Sequence, residues 1–598
     1  MSKSKEPIWY LSKKVWQYSE EKGKVILYLV MFILSNIVLL LYPLLIAKIV
    51  NILQLQGLTE ESLYSILLWV CGFLVLNIFF WGLHGPARWV ETVNAFKVKA
   101  KYKLFLLKGV MDLPASWQAN HQSGDTIDKI EKGTKALYDF AEFGFLIIAA
   151  IIKLIGATII LFMFNLPAGF IAITIICITA FVVIKFDKQL IQEFYQLNLI
   201  DNKISAKVYD TISNITTVII LRLEKLLTKS LLTKIMHPLP LFKQNIRVKE
   251  FKWFTVSTIA VLMITLTLGS YIITHYRSGE VILIGSLMAL YQYVQTMNNV
   301  FYHFTYRYGE IVKQKTDVEN AEILTKDFRK KSTIKEIELF HQKWKTLTIK
   351  NLNFVYEEEA LSIKGTSKKV VPSTLEIKEL KIHRGEKIAL VGESGAGKTT
   401  FLKLLRGLYT AQQEEAYLDE LLLKEGFKQV ASSISLIPQD PEIFAGTIQD
   451  NITFGIRKNK KEIKTYTDIA RFTKIIPTLP KGLDSNINER GVNLSGGQKQ
   501  RLALARGLLA SKNKEIILLD EPTSSVDSHN ELEIYLNILK KFKKKTIISS
   551  MHRLHLLPYF DRIFYFDKGK IVQVGTLKEL LKTNRKFNNL WNKYKSIQ

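Results

Sequence analysis

Residues 145–164 read FLIIAAIIKLIGATIILFMF. Thirteen of these are Leu, Ile or Phe, and Lys153, near the middle, is the one charge. A lysine at the centre of a bilayer costs roughly 2.5–3.5 kcal/mol, whereas each Leu, Ile or Phe returns about 0.3–0.6 kcal/mol. The apolar residues outweigh the ammonium about twofold on those values, so the stretch is expected to span a membrane with its lysine in place.

Five further runs carry no Asp, Glu, Lys or Arg: Val25–Ala47, Leu63–Leu83, Leu166–Ile184, Phe254–Thr274 and Val281–Phe301. With Phe143–Phe164 they make six, each near the ~20 residues needed to cross ~30 Å of hydrocarbon. The first run is too long for a signal-peptide core and no small-residue cleavage pattern follows it, so it is expected to persist as the first transmembrane helix. Residues 1–24, 84–142 and 185–253 hold 27 Lys and Arg, while 48–62 and 275–280 hold only Lys48 and Arg277. This asymmetry places the N-terminus and both long loops in the cytoplasm. It also explains part of the net charge of +28 without nucleic acid, and arginines interleaved with aromatic residues, the mark of a nucleic-acid groove, are not found. Cys71 and Cys177 both fall in apolar runs and read as packing residues, not a disulfide or a metal site.

Between spans two and three, and again between four and five, the helical spacing continues through 50 to 70 residues. The spanning helices are therefore expected to extend far into the cytoplasm, with short elements at Leu113–Asp125 and Thr211–Leu223 across the far ends. The expected organisation is a cytoplasmic lead (1–24), a transmembrane domain (25–310), a linker helix (311–340) and an α/β domain (341–598).

In that last domain KIALVGESGAGKTT, Lys387–Thr400, places a strand before Gly392-Glu393-Ser394-Gly395-Ala396-Gly397-Lys398-Thr399-Thr400 and a helix after it. Glycines let backbone N–H groups wrap phosphates, Lys398 reaches the β- and γ-phosphates, and the Thr399 hydroxyl ligates Mg²⁺. The helix that follows turns its positive N-terminus toward the same anion. EIILLDEPTSS is an apolar strand ending in two acids, with Asp520 for Mg²⁺ and Glu521 to polarise the attacking water. Leu494-Ser495-Gly496-Gly497-Gln498 is a second glycine-rich turn opening a helix. The two loops cannot easily share one ATP within a single chain, so a second copy facing the first would close each site.

These motifs resemble the nucleotide-binding domain of ATP-binding cassette (ABC) proteins, in which LSGGQ is the signature, from about Tyr356 to the C-terminus. With six spans ahead, the whole chain resembles an exporter-type half-transporter. The fold that follows is an α-helical six-span transmembrane domain with long cytoplasmic helix extensions, then an α/β P-loop nucleotide-binding domain of ABC type. The resemblance implies that Tyr356 stacks on adenine, Gln439 couples Mg²⁺ to the transmembrane domain, and Ser495, Gly496, Gly497 and Gln498 hold the partner's ATP. It further implies that Asn488–Gly491 touches the coupling elements, Ser524–Asp527 crosses the dimer interface, and His552 is the switch histidine by the γ-phosphate. Departures are the 35 residues between Tyr356 and Gly392, and Ser525 where Ala is commoner.

The function so implied is ATP hydrolysis driving a substrate across a membrane, with export of a lipid-like, drug-like or peptide amphiphile by alternating access in a dimer. An exporter-fold importer and a subunit of a heterodimer would carry the same motifs. Expected partners are a second half-transporter, in a homodimer given the intact Glu521 and LSGGQ, membrane lipid and the transported molecule; the setting is a bacterial inner membrane. Ala149, Lys153 and Gly156 share one helix face, and Gln292, Gln295, Asn299 and Tyr302 form a stripe on the sixth span. Together they would line a cavity in which Lys153 attracts an anionic group; the alternative is a structural lysine bonded to backbone carbonyls or neighbouring polar groups.

Overall fold

In hydrocarbon a chain must satisfy its backbone polar groups within itself, and long apolar runs do so as helices. The computed structural model describes residues 6–113, 117–118, 121, 123–328, 344–356, 374–440, 442–487 and 494–595. They fall into two compact units, divided between Lys331 and Ser332.

The first unit is helical. Glu60–Met111 is a single helix of 52 residues and Leu166–Ser213 one of 48. At 1.5 Å per residue the first is about 78 Å long, more than twice the ~30 Å of hydrocarbon, so the extension expected from the spacing is present. Leu239–Ser278 and Ile284–Ile323 are 40 residues each. A six-residue helix, Ile215–Ile220, falls within the expected element 211–223; most of residues 114–122 lie outside the described residues.

One expectation about the spans is corrected. Val25–Ala47 is not one uninterrupted helix: Lys22–Leu39 ends and Tyr42–Gln56 begins with Pro43 in its first turn. Proline has no N–H to bond four residues back and its ring crowds that carbonyl, so the helix breaks ahead of it. The Leu40 carbonyl released by the break accepts a buried hydrogen bond from the Tyr293 hydroxyl at 2.6 Å. By length and composition alone, five helical segments among the described residues are apolar enough to cross a membrane. Ile284–Ile323 falls short because Gln292, Gln295, Asn298 and Asn299 dilute its apolar run. It nevertheless packs in the same core, burying Ala289, Leu290, Tyr293, Val294 and Met297 with Leu40, Ala157, Leu161 and Met263.

A second core lies where the helices extend past the apolar runs, built from Leu11, Tyr102, Leu106, Leu137, Val318 and Ala321. Nearby, Lys252 and Asp187 form a buried ion pair at 2.7 Å that joins the Leu166–Ser213 and Leu239–Ser278 helices. Such a pair adds little net stability but penalises any register that separates it.

The second unit is a ten-stranded mixed sheet. Ile434–Ile437, Ile516–Asp520, Thr546–Ser550, Lys387–Val391 and Arg562–Asp567 lie side by side and all run parallel. Lys570–Gly575 pairs antiparallel with the last of these. Thr346–Val355, flanked by Thr374–His383 and Gln413–Leu418, forms an antiparallel wing. Three of the parallel strands, Lys387–Val391, Ile516–Asp520 and Thr546–Ser550, are buried along their whole length. Helices on both faces bury such strands fully, which is why they read as continuous apolar runs and not as alternation.

In the first unit Gly133 is pressed against the Ile284–Ile323 helix: a Cβ there would stand 2.5 Å from Ala321 Cβ and 3.1 Å from the Asp317 carbonyl oxygen. Gly133→Val should force the two helices apart at a cost of about 1–3 kcal/mol. Thermal unfolding of the purified chain should show a lowered midpoint; an unchanged midpoint would contradict this packing.

Candidate functional site

Four adjacent parallel strands each end in a predicted site residue or lead directly into one. Lys387–Val391 runs into the phosphate loop, Ile434–Ile437 precedes Gln439, Ile516–Asp520 ends at Asp520 beside Glu521, and Thr546–Ser550 precedes His552. Ligands of open α/β sheets bind beyond these carboxyl ends of the strands.

The loop Gly392–Thr400 closes onto the Lys398–Leu405 helix. Gly397 has φ +103°, a backbone angle that L side chains rarely adopt. Glu393, Ser394 and Gly395 are exposed at the tip, and Ala396 is buried beneath. The Lys398 ammonium donates to the Gly392 carbonyl at 2.8 Å and to that of Glu393 at 3.1 Å. It thus lies across the mouth of its own loop. Burial holds its pKa below the ordinary lysine value, against the opposing pull of Glu521 and Asp520.

Thr399 donates to Asp520 Oδ1 at 3.0 Å, and Ser550 donates to the same oxygen at 2.7 Å. Glu521 follows with φ +47°, a strained angle for a non-glycine residue. One of its carboxylate oxygens lies 2.8 Å from His552 Nε2, and the other accepts from Gln439 Nε2 at 3.2 Å. Burial pushes the Glu521 carboxyl above the usual carboxylate range, while His552 and Lys398 pull it back. Gln439, Asp520, Glu521 and His552 are therefore one connected cluster beside Lys398 and Thr399. Tyr356 stands at the other side of the loop: its hydroxyl lies 3.1 Å from Thr400 Oγ1, and its ring packs edge-on to Phe354 and Tyr409 at 4.8 and 5.5 Å.

The second glycine-rich turn is also formed. Ser495 caps the Gly496–Ala510 helix, and Gln498 returns its side-chain oxygen to the Ser495 N–H at 2.9 Å. A Cβ on Gly497 would lie 2.8 Å from the Ser525 carbonyl oxygen, so this glycine permits close contact with the Ser524–Asp527 loop. No hydrogen bond joins Ser495–Gln498 to Gly392–Thr400 among the described residues. Asp527 caps the Ser528–Lys541 helix. The predicted contact segment Asn488–Gly491 lies outside the described residues.

Sequence reading passed over Gln500 and Ser550. Gln500 is buried and donates to the Gln439 carbonyl at 3.3 Å and to Ser524 Oγ at 2.7 Å, while accepting from the Ser525 N–H at 2.7 Å. It links the loop at Gln439 to the Ser524–Asp527 loop, but an amide within a helix gives no outward sign of such a role. Ser550 looks like an ordinary strand end until Asp520 is placed beside it.

In the membrane unit Ile151, Ile155, Ile159 and Met163 form the exposed stripe of the Gly144–Phe164 helix. Lys153 is half-buried on another side, and a Cβ on Gly156 would stand 2.1 Å from Leu40 Cδ1. The face of Lys153 therefore points toward protein. Gln295 and Asn299 are exposed and Gln292 is half-buried. No hydrogen bond or ion pair joins Lys153 to any of them among the described residues.

Two family profiles match: ABC transporter transmembrane region over residues 25–297 and ABC transporter over residues 375–524. The chain belongs to the ABC transporter family. An uncharacterized ABC transporter ATP-binding protein of Haemophilus influenzae is 41% identical over 221 residues, 36% of each chain. ATP-binding cassette sub-family B member 6 of Xenopus tropicalis is 25% identical over 566 residues, 90% of this chain and 63% of that one. An ATP-dependent lipid A-core flippase of Methylobacillus flagellatus is 39% identical over 212 residues, 35% of this chain and 36% of its own. These matches span between about a third and two-thirds of the relatives' lengths. A bacterial Atm1-family ABC exporter with ATP bound has the same fold, with a TM-score of 0.79, 20% identity and coverage of 96% of this chain and 98% of that one.

If Gln500 holds these loops in register, Gln500→Ala in this ABC transporter should lower kcat for ATP hydrolysis about tenfold and leave nucleotide affinity near wild type. A steady-state assay beside equilibrium nucleotide binding reads both; loss of affinity with unchanged kcat would contradict the assignment.

Proposed function

We propose that this ABC transporter is an ATP-driven translocase of exporter type that works as a homodimer, with its nucleotide-binding unit in the cytoplasm of a bacterial cell. The observation that carries this reading is the convergence of Lys398, Gln439, Asp520, Glu521 and His552 at one edge of a sheet, in a chain whose other half is built from membrane-length helices.

The chemistry asked of the site is phosphoryl transfer to water, in which positioning and charge stabilisation do most of the work. The Lys398 ammonium, now on two loop carbonyls, is placed to exchange them for phosphate oxygens. Glu521, when ionised, orients a water and accepts its proton, and His552 holds that carboxylate from one side while Gln439 holds it from the other. Thr399, Asp520 and Gln439 carry the hard oxygen donors that would hold Mg²⁺. Bound there, Mg²⁺ would neutralise charge on the β- and γ-phosphate oxygens. Tyr356 offers a ring for adenine. Among the described residues the turn Ser495–Gln498 has no hydrogen bond to its own phosphate loop, which favours its use on the ATP of a facing copy.

Hydrolysis would then separate two nucleotide-binding units that ATP had joined, and the long helices would convert this into alternate opening of the membrane unit. Direction comes from the difference in substrate affinity between the two states. The substrate class we favour is an amphiphile with an acidic group, since Lys153 is the one charge in its run and lies off the lipid-facing stripe.

Purified chain in lipid vesicles should hydrolyse ATP, with stimulation by anionic amphiphiles. Lys153→Ala should remove that stimulation and leave basal hydrolysis intact, whereas stimulation indifferent to charge would make Lys153 structural. Glu521→Gln should abolish turnover while ATP still binds. Because burial raises the Glu521 carboxyl, the acid limb of the kcat profile should fall above the ordinary carboxylate range of about 4–4.5. His552→Ala removes a group that lowers this pKa, so in that variant's residual activity the limb should move to still higher pH. A shift to lower pH would contradict the pairing.

A further inference from the structure

The Pro7–Tyr18 helix buries Leu11 and Val15 in the cytoplasmic core, and Tyr10 and Lys14 fasten it to Glu322. Another side of it does not close on its neighbours. A cavity of about 620 Å³ remains there, lined by Trp9, Lys13 and Trp16 of this helix, by Val25 and Leu29 of the first span, and by Ile148 of the third, among others. Pockets for small molecules run from ~300 to 1,000 Å³, so this one has room for a ligand. Its walls are mostly apolar. Water filling the same space, at ~30 Å³ each, would number about twenty and find few hydrogen-bond partners.

Position and charge specify the occupant. Val25 and Leu29 open the first apolar run and Ile148 lies near the start of the third, so the cavity sits at the cytoplasmic boundary of the membrane. Tryptophans collect at that depth, and Trp9 and Trp16 are both exposed there. Lys13 has no acidic partner among the described residues, whereas Lys14 pairs with Glu322, and Glu20 and Glu21 pair with Lys97, Lys101 and Lys24. The Lys22 ammonium stands 5.3 Å over the Trp16 ring. Glu91 is the acid in the wall, and it is already engaged by Arg88 and by the Phe145 N–H at 2.9 Å. The mouth is thus basic and the interior oily, at the level where the cytoplasmic leaflet presents anionic lipid.

We propose that this cavity is a binding site for an anionic lipid of the cytoplasmic leaflet, one acyl chain lying between the N-terminal helix and the first and third spans and the head group held by Lys13 and Lys22. The lipid would be resident, bridging the N-terminal helix to the spans, and distinct from any transported molecule. The inference rests on the membrane reading alone and not on transport.

The test is native mass spectrometry of the full-length, nucleotide-free protein purified in detergent and titrated with phosphatidylglycerol or phosphatidylcholine. Wild type should retain phosphatidylglycerol in preference. Lys13→Ala, at an exposed position, should weaken that binding about fivefold. Leu29→Trp, which fills the cavity from its wall, should abolish it, with the unfolding midpoint read alongside to show that the fold persists. Equal retention of the two lipids, or equal phosphatidylglycerol retention by all three proteins, would assign the lipid to the general annulus and overturn the proposal. Since neither nucleotide nor turnover enters the measurement, a failure of the transport reading would leave its result standing.

Discussion

One carboxylate oxygen organises the nucleotide-binding unit. Asp520 Oδ1 accepts hydroxyls from Thr399, at the start of the phosphate-loop helix, and from Ser550, at the end of the neighbouring strand. Three segments distant in sequence meet on that atom only because their strands are adjacent and parallel. Parallel pairing between fully buried strands aligns their carboxyl ends, and whatever follows each strand is delivered to the same edge. An antiparallel arrangement would send Glu521 and His552 to opposite ends of the sheet. The strained backbone at Glu521 fits the same logic, since a sparsely populated angle persists where surrounding structure enforces it.

The membrane unit works under a different constraint. Hydrocarbon rewards apolar surface wherever it lies, so the lipid-facing stripes carry little information about packing. What specifies the bundle are its exceptions. The break before Pro43 releases a carbonyl for Tyr293, Gly133 and Gly156 allow close helix contacts, and the Lys252–Asp187 pair penalises slippage of two long helices. Lys153 belongs among these exceptions, held off the lipid face.

These differences explain what could be read in advance. The phosphate loop, the acidic strand end and His552 were legible because each follows a short apolar strand whose carboxyl end the sheet brings to the same edge. The helices stood out because a charge-free run of twenty residues has few other fates. Pro43 was visible, but hydropathy averages over the break it causes. The sixth span looked charge-free while its glutamines and asparagines made it less apolar than the other five segments. Gln500 was hidden because its partners come from two loops distant in sequence, and proximity of that kind follows from topology and not from spacing. The cavity under the N-terminal helix was hidden for the same reason: twelve residues of lead show amphipathic spacing but not what they leave unfilled.

The central claim is that each active site is assembled from two copies of the chain, the phosphate loop of one and the signature turn of the other. Mixing two inactive variants tests it most directly. Lys398→Ala disables a phosphate loop and Ser495→Arg a signature turn, and each alone should be silent. In a mixed dimer one site inherits both defects and the other inherits neither. Co-expressed chains that pair at random should therefore recover roughly a quarter of wild-type ATP hydrolysis, given the two-fold symmetry of such a dimer. Silence in the mixture, with mixed dimers shown to form, would mean that loop and turn serve the same chain and would contradict the account.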